Sequence, residues 1–261
     1  ERALPNLSAW GRVADYRIGQ IQKMPNVDVY LQSRLDADQV LEFGFQHVCL
    51  ATGSQWRRDG VGRAHLHPII IDEKMPILTP DDIMAGKMPT GHVVLFDDDH
   101  YYMGGVIAEK LAFAGCKVTL VTPAAYVSEW TVNTLEQSFI HRRLVEQGIE
   151  IRLNTLLSSV SAKTVSLSCS YTGASSDMAT DAVVLVTSRR GDDRLWRDLK
   201  ARVAEWDNYG IQSVKLIGDA ASPAPIAWAT YAGHRYASEL DSEERGDGLP
   251  FRREVAQLAK D

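Results

Sequence analysis

A chain of 261 residues with 45% hydrophobic and 24% charged side chains has the make-up of one ordinary folded domain, or of two domains of about 100 to 150 residues each. A net charge of -6 argues against a nucleic-acid partner, because such a binder needs a basic face for the phosphate backbone. No apolar run approaches the roughly 20 residues that cross a bilayer, and residues 1–5 form no signal peptide, so no membrane partner and a cytoplasmic location are expected. Cys49, Cys116 and Cys169 are too scattered for a disulfide framework or an iron-sulfur run and read as buried or incidental thiols. The polar opening from Glu1 to Trp10 carries no strand and suggests a fragment.

Apolar residues at helical spacing predict a helix over 12–23, stopping before Pro25. Residues 27–31 read as a short strand, 36–43 as a helix that Gly44 ends, and 47–50 as an apolar strand running into the small-residue turn Ala51-Thr52-Gly53-Ser54. Thr79-Pro80-Asp81-Asp82 has the cap, first-turn proline and acids of a helix start, with a stop near Gly86. A strand over 92–96, a helix over 106–112 and a strand over 117–121 give the period of a Rossmann βαβ unit. Further along, the pattern predicts a long helix over 132–147, strands over 149–153, 160–170 and 181–187, a helix over 194–206, a strand from Val214 into Gly218-Asp219, and a helix over 226–240. Strands alternating with helices imply an α/β fold with doubly wound, mainly parallel sheets.

The βαβ unit keeps its period and loses its binding chemistry. The three glycine places of G-x-G-x-x-G hold Asp97, Asp99 and Tyr102, where two carboxylates would meet a pyrophosphate with like charge. Thr122 and Pro123 stand where an acidic residue would reach the ribose. NAD(P) is therefore not expected here, and Asp97 to Asp99 read as a solvated turn rather than a cation site. His65 and His67 lack a third ligand at recognisable spacing and read as loop residues, so no metal is expected. Trp10, Trp56 and Trp130 read as packing residues before interface residues.

Ala51-Thr52-Gly53 after one strand and Leu216-Ile217-Gly218-Asp219 after another flank the βαβ module. Together they resemble the paired signatures of FAD/NAD(P)-binding domains of the flavin disulfide reductase type, in which a second nucleotide module is inserted into the first. That resemblance implies two modules: residues 1–90 plus 213–261 as a partial ADP- or FAD-binding domain, and 91–212 as the inserted NAD(P)-like domain. It makes Thr52, Gly53, Gly218 and Asp219 the expected cofactor contacts, none of them catalytic.

Trp10 with Asp15-Tyr16-Arg17, residues 35–44, Ala51-Thr52-Gly53-Ser54-Gln55-Trp56, residues 195–202, Leu216-Ile217-Gly218-Asp219-Ala220, Ala229-Thr230 and Gly233-His234-Arg235 make a more specific pattern. Over essentially the whole chain it is similar to the C-terminal nucleotide-domain portion of the trimethylamine, dimethylamine and histamine dehydrogenase family, and more distantly to dienoyl-CoA reductase. The resemblance implies an oxidoreductase of small methylated amines. An N-terminal TIM barrel would carry FMN and a 4Fe-4S cluster, ADP or FAD would sit in this portion, an electron-transferring flavoprotein would be the partner, and the enzyme would be a homo-oligomer. The barrel, the flavin-attachment and cluster cysteines, and the first Gly-rich loop have no counterpart in the sequence, so this chain alone would not oxidise an amine. A cofactor-free docking or scaffold module, and a reductase fragment using FAD and NAD(P)H, are the alternatives.

Overall fold

The computed structural model describes residues 2–240; the part of the expected first module at 241–261 lies outside the described residues. A 3-10 turn (Ser8–Gly11) leads into α1 (Arg12–Ile21), which buries none of its side chains. Residues 27–31 form no strand and stay exposed, contrary to the expectation from their β-prone side chains. Asp36 caps α2 (Ala37–Phe43) by accepting the Gln39 N–H at 3.0 Å, while Gln39 Oε1 accepts the Asp36 N–H at 3.0 Å, and Gly44 ends the helix at φ 65°. The strands β1 (His47–Leu50), β2 (Ser54–Trp56), β3 (Ile70–Ile71) and β4 (Ile77–Leu78) precede α3 (Pro80–Met84).

The βαβ unit stands as read, with β5 (His92–Asp97), α4 (Tyr102–Phe113) and β6 (Lys117–Val121). The helix expected over 132–147 is shorter. A 3-10 turn (Glu129–Val132) and a left-handed Leu135 at φ 62° delay α5 to Gln137–Glu146. After β7 (Glu150–Arg152), the apolar run at 160–170 is not one strand. It turns at residues 161–163 between antiparallel β8 (Thr155–Val160) and β9 (Thr164–Cys169), followed by β10 (Ser175–Ala179). Then come β11 (Ala182–Val186), β12 (Arg189–Gly191), α6 (Arg194–Ala201), a 3-10 turn (Val203–Tyr209) in place of the expected helical continuation to Trp206, β13 (Ser213–Leu216) and α7 (Ile226–Glu239).

The described residues form two compact units, 2–33 with 55–189 and 34–54 with 190–240. The boundaries expected at 90/91 and 212/213 fall inside them: β4 pairs with β11, and Leu199 and Trp206 share a core with Val214.

The larger unit is built on an all-parallel sheet of order β4-β11-β5-β6-β7. Alternate residues of its central strands face opposite ways. Val93, Leu95, Leu120 and Val184 pack with Val106, Ile107 and Leu111 of α4 and Ile140 and Leu144 of α5. Val94, Phe96, Val121, Val183 and Leu185 pack instead against Leu157, Val160, Val165 and Leu167 of a second sheet, of order β10-β9-β8-β3. Val93 to Phe96 are completely buried, and each such side chain contributes about 1.5–3 kcal/mol. This corrects the doubly wound expectation: the second face carries strands rather than helices, so the layers run helix, parallel sheet, mostly antiparallel sheet.

In the smaller unit β1 and β13 pair in parallel, and Val40, Leu41, Leu50, Leu199, Trp206, Ile211 and Val214 make its core. Cys116 is buried, Cys169 partly so and Cys49 exposed, and all three are free thiols.

Candidate functional site

Thr52, Gly53, Gly218 and Asp219 come together in the smaller unit because β1 and β13 run parallel in matched register. Leu50 lies opposite Leu216, and the Ile217 N–H donates to the Leu50 carbonyl at 2.9 Å. Both chains therefore leave the pair at its carboxyl end, where open α/β sheets place their ligands. Gly53 turns at φ 80° and Gly218 at φ 59°, conformations that a side chain would strain. A Cβ built on Gly53 would meet no atom within 4 Å, so the backbone there borders open space.

Asp219 is half-buried. One carboxylate oxygen accepts from the Ser54 hydroxyl at 3.1 Å and the other from the Ala224 N–H at 3.2 Å. The Thr52 hydroxyl donates to the Asp192 carbonyl, and the Asp192 N–H donates to the Gly53 carbonyl at 2.9 Å. Gly191 is required by packing: a Cβ there would sit 2.1 Å from the Ala220 carbonyl oxygen. Two charge-assisted bonds from Arg194, both 2.8 Å, hold the Asp192 carboxyl below its ordinary range.

Sequence reasoning missed Ser54, Gly191 and Asp192 as members of this cluster. The signal was present, since Gly191-Asp192 follows the strand region at 181–187 much as Gly218-Asp219 follows β13. Neither dipeptide reveals from sequence alone that the two turns meet.

The equivalent strand ends of the larger unit are arranged differently. Asp97 and Asp98 are fully buried, which corrects the solvated turn expected there. One Asp97 oxygen accepts the N–H groups of Asp99 at 3.2 Å and His100 at 3.1 Å. Its carboxyl packs on the first turn of α4, where a Cβ on Gly104 would lie 2.3 Å from the Asp97 Cγ. Burial, together with the nearby Asp99 carboxylate, pushes Asp97 up to about 7. The raised pKa values of Asp97 and Asp99 weaken the like-charge argument against phosphate, and a steric one takes its place, because carboxylates fill the strand end. Beside it lies an open cleft of about 430 Å³ bordered by Arg63, Asp98, His100, Glu129, Asn154 and Tyr171.

Among the described residues no three His, Cys, Asp or Glu side chains are grouped to hold a metal ion, and no helix is long and apolar enough to cross a membrane. Of the three tryptophans read as packing residues, Trp56 is buried, while Trp10 and Trp130 are about half exposed.

Residues 78–201 match the family model described as the OYE-like second alpha/beta domain. The chain is homologous to part of the dimethylamine and histamine dehydrogenases. It is 36% identical, over 96% of its length, to dimethylamine dehydrogenase of Hyphomicrobium sp. (strain x), of which the match covers 38%. The solved histamine dehydrogenase from Rhizobium sp. 4-9 is 59% identical with a TM-score of 0.94, covering all of this chain and 40% of that one. The structure of 6-hydroxypseudooxynicotine amine oxidase from Pseudomonas geniculata N1 is 47% identical with a TM-score of 0.84, covering 90% of this chain and 35% of that one. These relatives are oxidoreductases of amines, and the chain spans two fifths or less of their length.

Proposed function

We propose that this chain is a portion of a longer amine dehydrogenase that includes its OYE-like second alpha/beta domain, which replaces the C-terminal nucleotide domain expected from the sequence. Amine oxidation takes place elsewhere in that enzyme, on FMN and a 4Fe-4S cluster carried by an N-terminal TIM barrel, with electrons passing to an electron-transferring flavoprotein. The enzyme is cytoplasmic and homo-oligomeric in this reading, and its substrate is a small amine. Homology to dimethylamine and histamine dehydrogenases supports the amine chemistry.

Within the chain, the unit of 34–54 and 190–240 is the remainder of an ADP- or FAD-binding module, and the unit containing 55–189 is the inserted NAD(P)-like one. The observation that carries this reading is the meeting of Thr52, Gly53, Gly218 and Asp219 at the carboxyl ends of two parallel strands, with open space over Gly53. The residues fit the group. Two backbone glycines allow close approach of a diphosphate, and the Asp219 carboxylate can accept from ribose hydroxyls. Bound ADP supplies no redox chemistry, so the module's part is binding and structure.

Asp219→Ala in the intact enzyme should weaken ADP binding by at least tenfold in isothermal titration, about 1.4 kcal/mol. Unchanged affinity would remove the assignment. A cofactor-free role is favoured for the inserted unit by one observation, the buried Asp97 and Asp98 that fill its strand ends. NAD(P) has no place there in this reading, and saturable micromolar NADPH binding would contradict it.

A further inference from the structure

In the larger unit, residues 60–66 cross the carboxyl ends of β5 and β11 as a strap, and the turn at 97–100 holds it there. Asp98 accepts the Ala64 N–H at 2.9 Å, and the Ser188 hydroxyl donates to the Val61 carbonyl at 2.6 Å. Gly62 is pressed so close that a Cβ would lie 2.2 Å from the Asp98 carboxylate. Arg63 reaches over the ring of Trp130 at 5.0 Å, and the Trp130 N–H donates to the His100 carbonyl at 2.9 Å. Strap, turn and the 3-10 turn at 129–132 thus meet on one short segment, which contains a non-glycine residue at positive φ, His100 at 63°.

The polar atoms enclosed here are incompletely matched. Asp97 Oδ2, Asp98 Oδ1, His100 Nε2, His65 Nε2, Ser128 Oγ and Thr187 Oγ1 are buried without a hydrogen-bond partner, although His100 Nε2 lies 3.4 Å from Asp98 Oδ1 as an ion pair. Unmatched groups in a low-dielectric setting make the arrangement sensitive to the charge each one carries. The charged and titratable groups facing the turn are Asp97, Asp98, Asp99 and His100 within it, Arg63 and His65 on the strap, Arg189 beyond β11, and Glu129 across the cleft.

We propose that the 97–100 turn is a proton-operated latch: a neutral Asp97 and a charged His100 keep the strap closed over the strand ends, and loss of these protons to solvent loosens it. The two groups act in the same direction. Burial raises Asp97, so the closed form binds its proton more tightly than an opened, hydrated form does. Burial opposes charge on His100, but the Asp98 carboxylate 3.4 Å from its Nε2 outweighs it and raises its pKa as well. In both cases the closed state is favoured at low pH and loses ground as pH rises through the closed-state value.

Amide hydrogen exchange of the full-length protein, followed by mass spectrometry from pH 5.5 to 8.5 and corrected for intrinsic rates, tests this. Protection in peptides spanning 60–66 should fall roughly tenfold per pH unit up to about pH 7 as Asp97 ionises, and level off only once His100 has also lost its proton, while peptides from β9 stay constant. Asp97→Asn, which cannot ionise, should remove most of that dependence. His100→Gln takes away a charge that lowers Asp97 and should move the plateau to higher pH; it serves also if the asparagine variant does not fold. Strap protection that is independent of pH, full pH dependence retained in Asp97→Asn, or an unmoved plateau in His100→Gln would each overturn the latch.

Discussion

Asp82 shows how one buried carboxylate can be settled by its neighbours. It is 4% exposed, yet it accepts from the Thr79 N–H at 3.0 Å and receives Lys87 at 3.0 Å and Arg58 at 2.5 Å. Burial alone would raise its pKa, but the hydrogen bonds from Arg58, Lys87 and Thr79 hold it well below the usual carboxylate range. A depressed folded-state pKa gives stability that is present above the unfolded value near 4 and is lost as pH falls below it. Asp82→Asn should therefore destabilise the larger unit by about 2 kcal/mol at pH 7, a magnitude reduced by the exposure of both cationic partners. The loss should shrink below pH 4, as read by urea unfolding at the two pH values; an equal loss at both would exclude ionisation as the cause. Asp97 has the opposite sign, and the sequence did not reveal it. The string Asp97-Asp98-Asp99 looks solvated, and its burial depends on Gly62 and Gly104, which lie outside the string and admit the carboxylates.

Among the elements, those with local causes were legible and those with distant causes were not. The end of α2 at Gly44 and the start of α3 at Thr79-Pro80 are written within a few residues and formed where expected, while the capping box of Asp36 and Gln39 was not read. Asp36→Ala should lower the stability of the smaller unit by about 1 kcal/mol, measured by thermal unfolding, with little change if the capping box is not formed in solution. Residues 27–31 have strand-like side chains but no pairing strand, and pairing is not visible from one segment. Val132, Leu135 and Phe139 have helical spacing yet are exposed, and the left-handed Leu135 breaks the run before α5 begins. The hairpin of β8 and β9 was hidden because alternating residues read alike on either side of its turn. Gly191→Ala tests a cause of the distant kind. Its Cβ would strike the Ala220 backbone, and a cost of about 1–3 kcal/mol is expected. A variant as stable as the parent would show that the close approach of the two turns is not rigid.

For the molecule as a whole, the sequence carried the kinship and the two strand-end turns that the structure brings together. The pairing of Ala51-Thr52-Gly53 with Ile217-Gly218-Asp219 was readable because both follow apolar strands, and the structure brings the two turns together at one end of a parallel pair. The layer order was not readable, since an apolar strand face looks the same whether a helix or a second sheet covers it. The homology to dimethylamine and histamine dehydrogenases supports amine chemistry for the longer enzyme, and the nucleotide in the smaller unit is the part of the proposal still to be tested. The most direct measurement is acid extraction of the purified protein, followed by chromatography and mass spectrometry of the released nucleotides against protein concentration. Near-equimolar ADP or FAD without NAD(P) is the expected result. Absence of any adenine nucleotide, or equimolar NAD(P), would contradict the assignment of the Thr52, Gly53, Gly218 and Asp219 cluster and of the filled strand ends around Asp97.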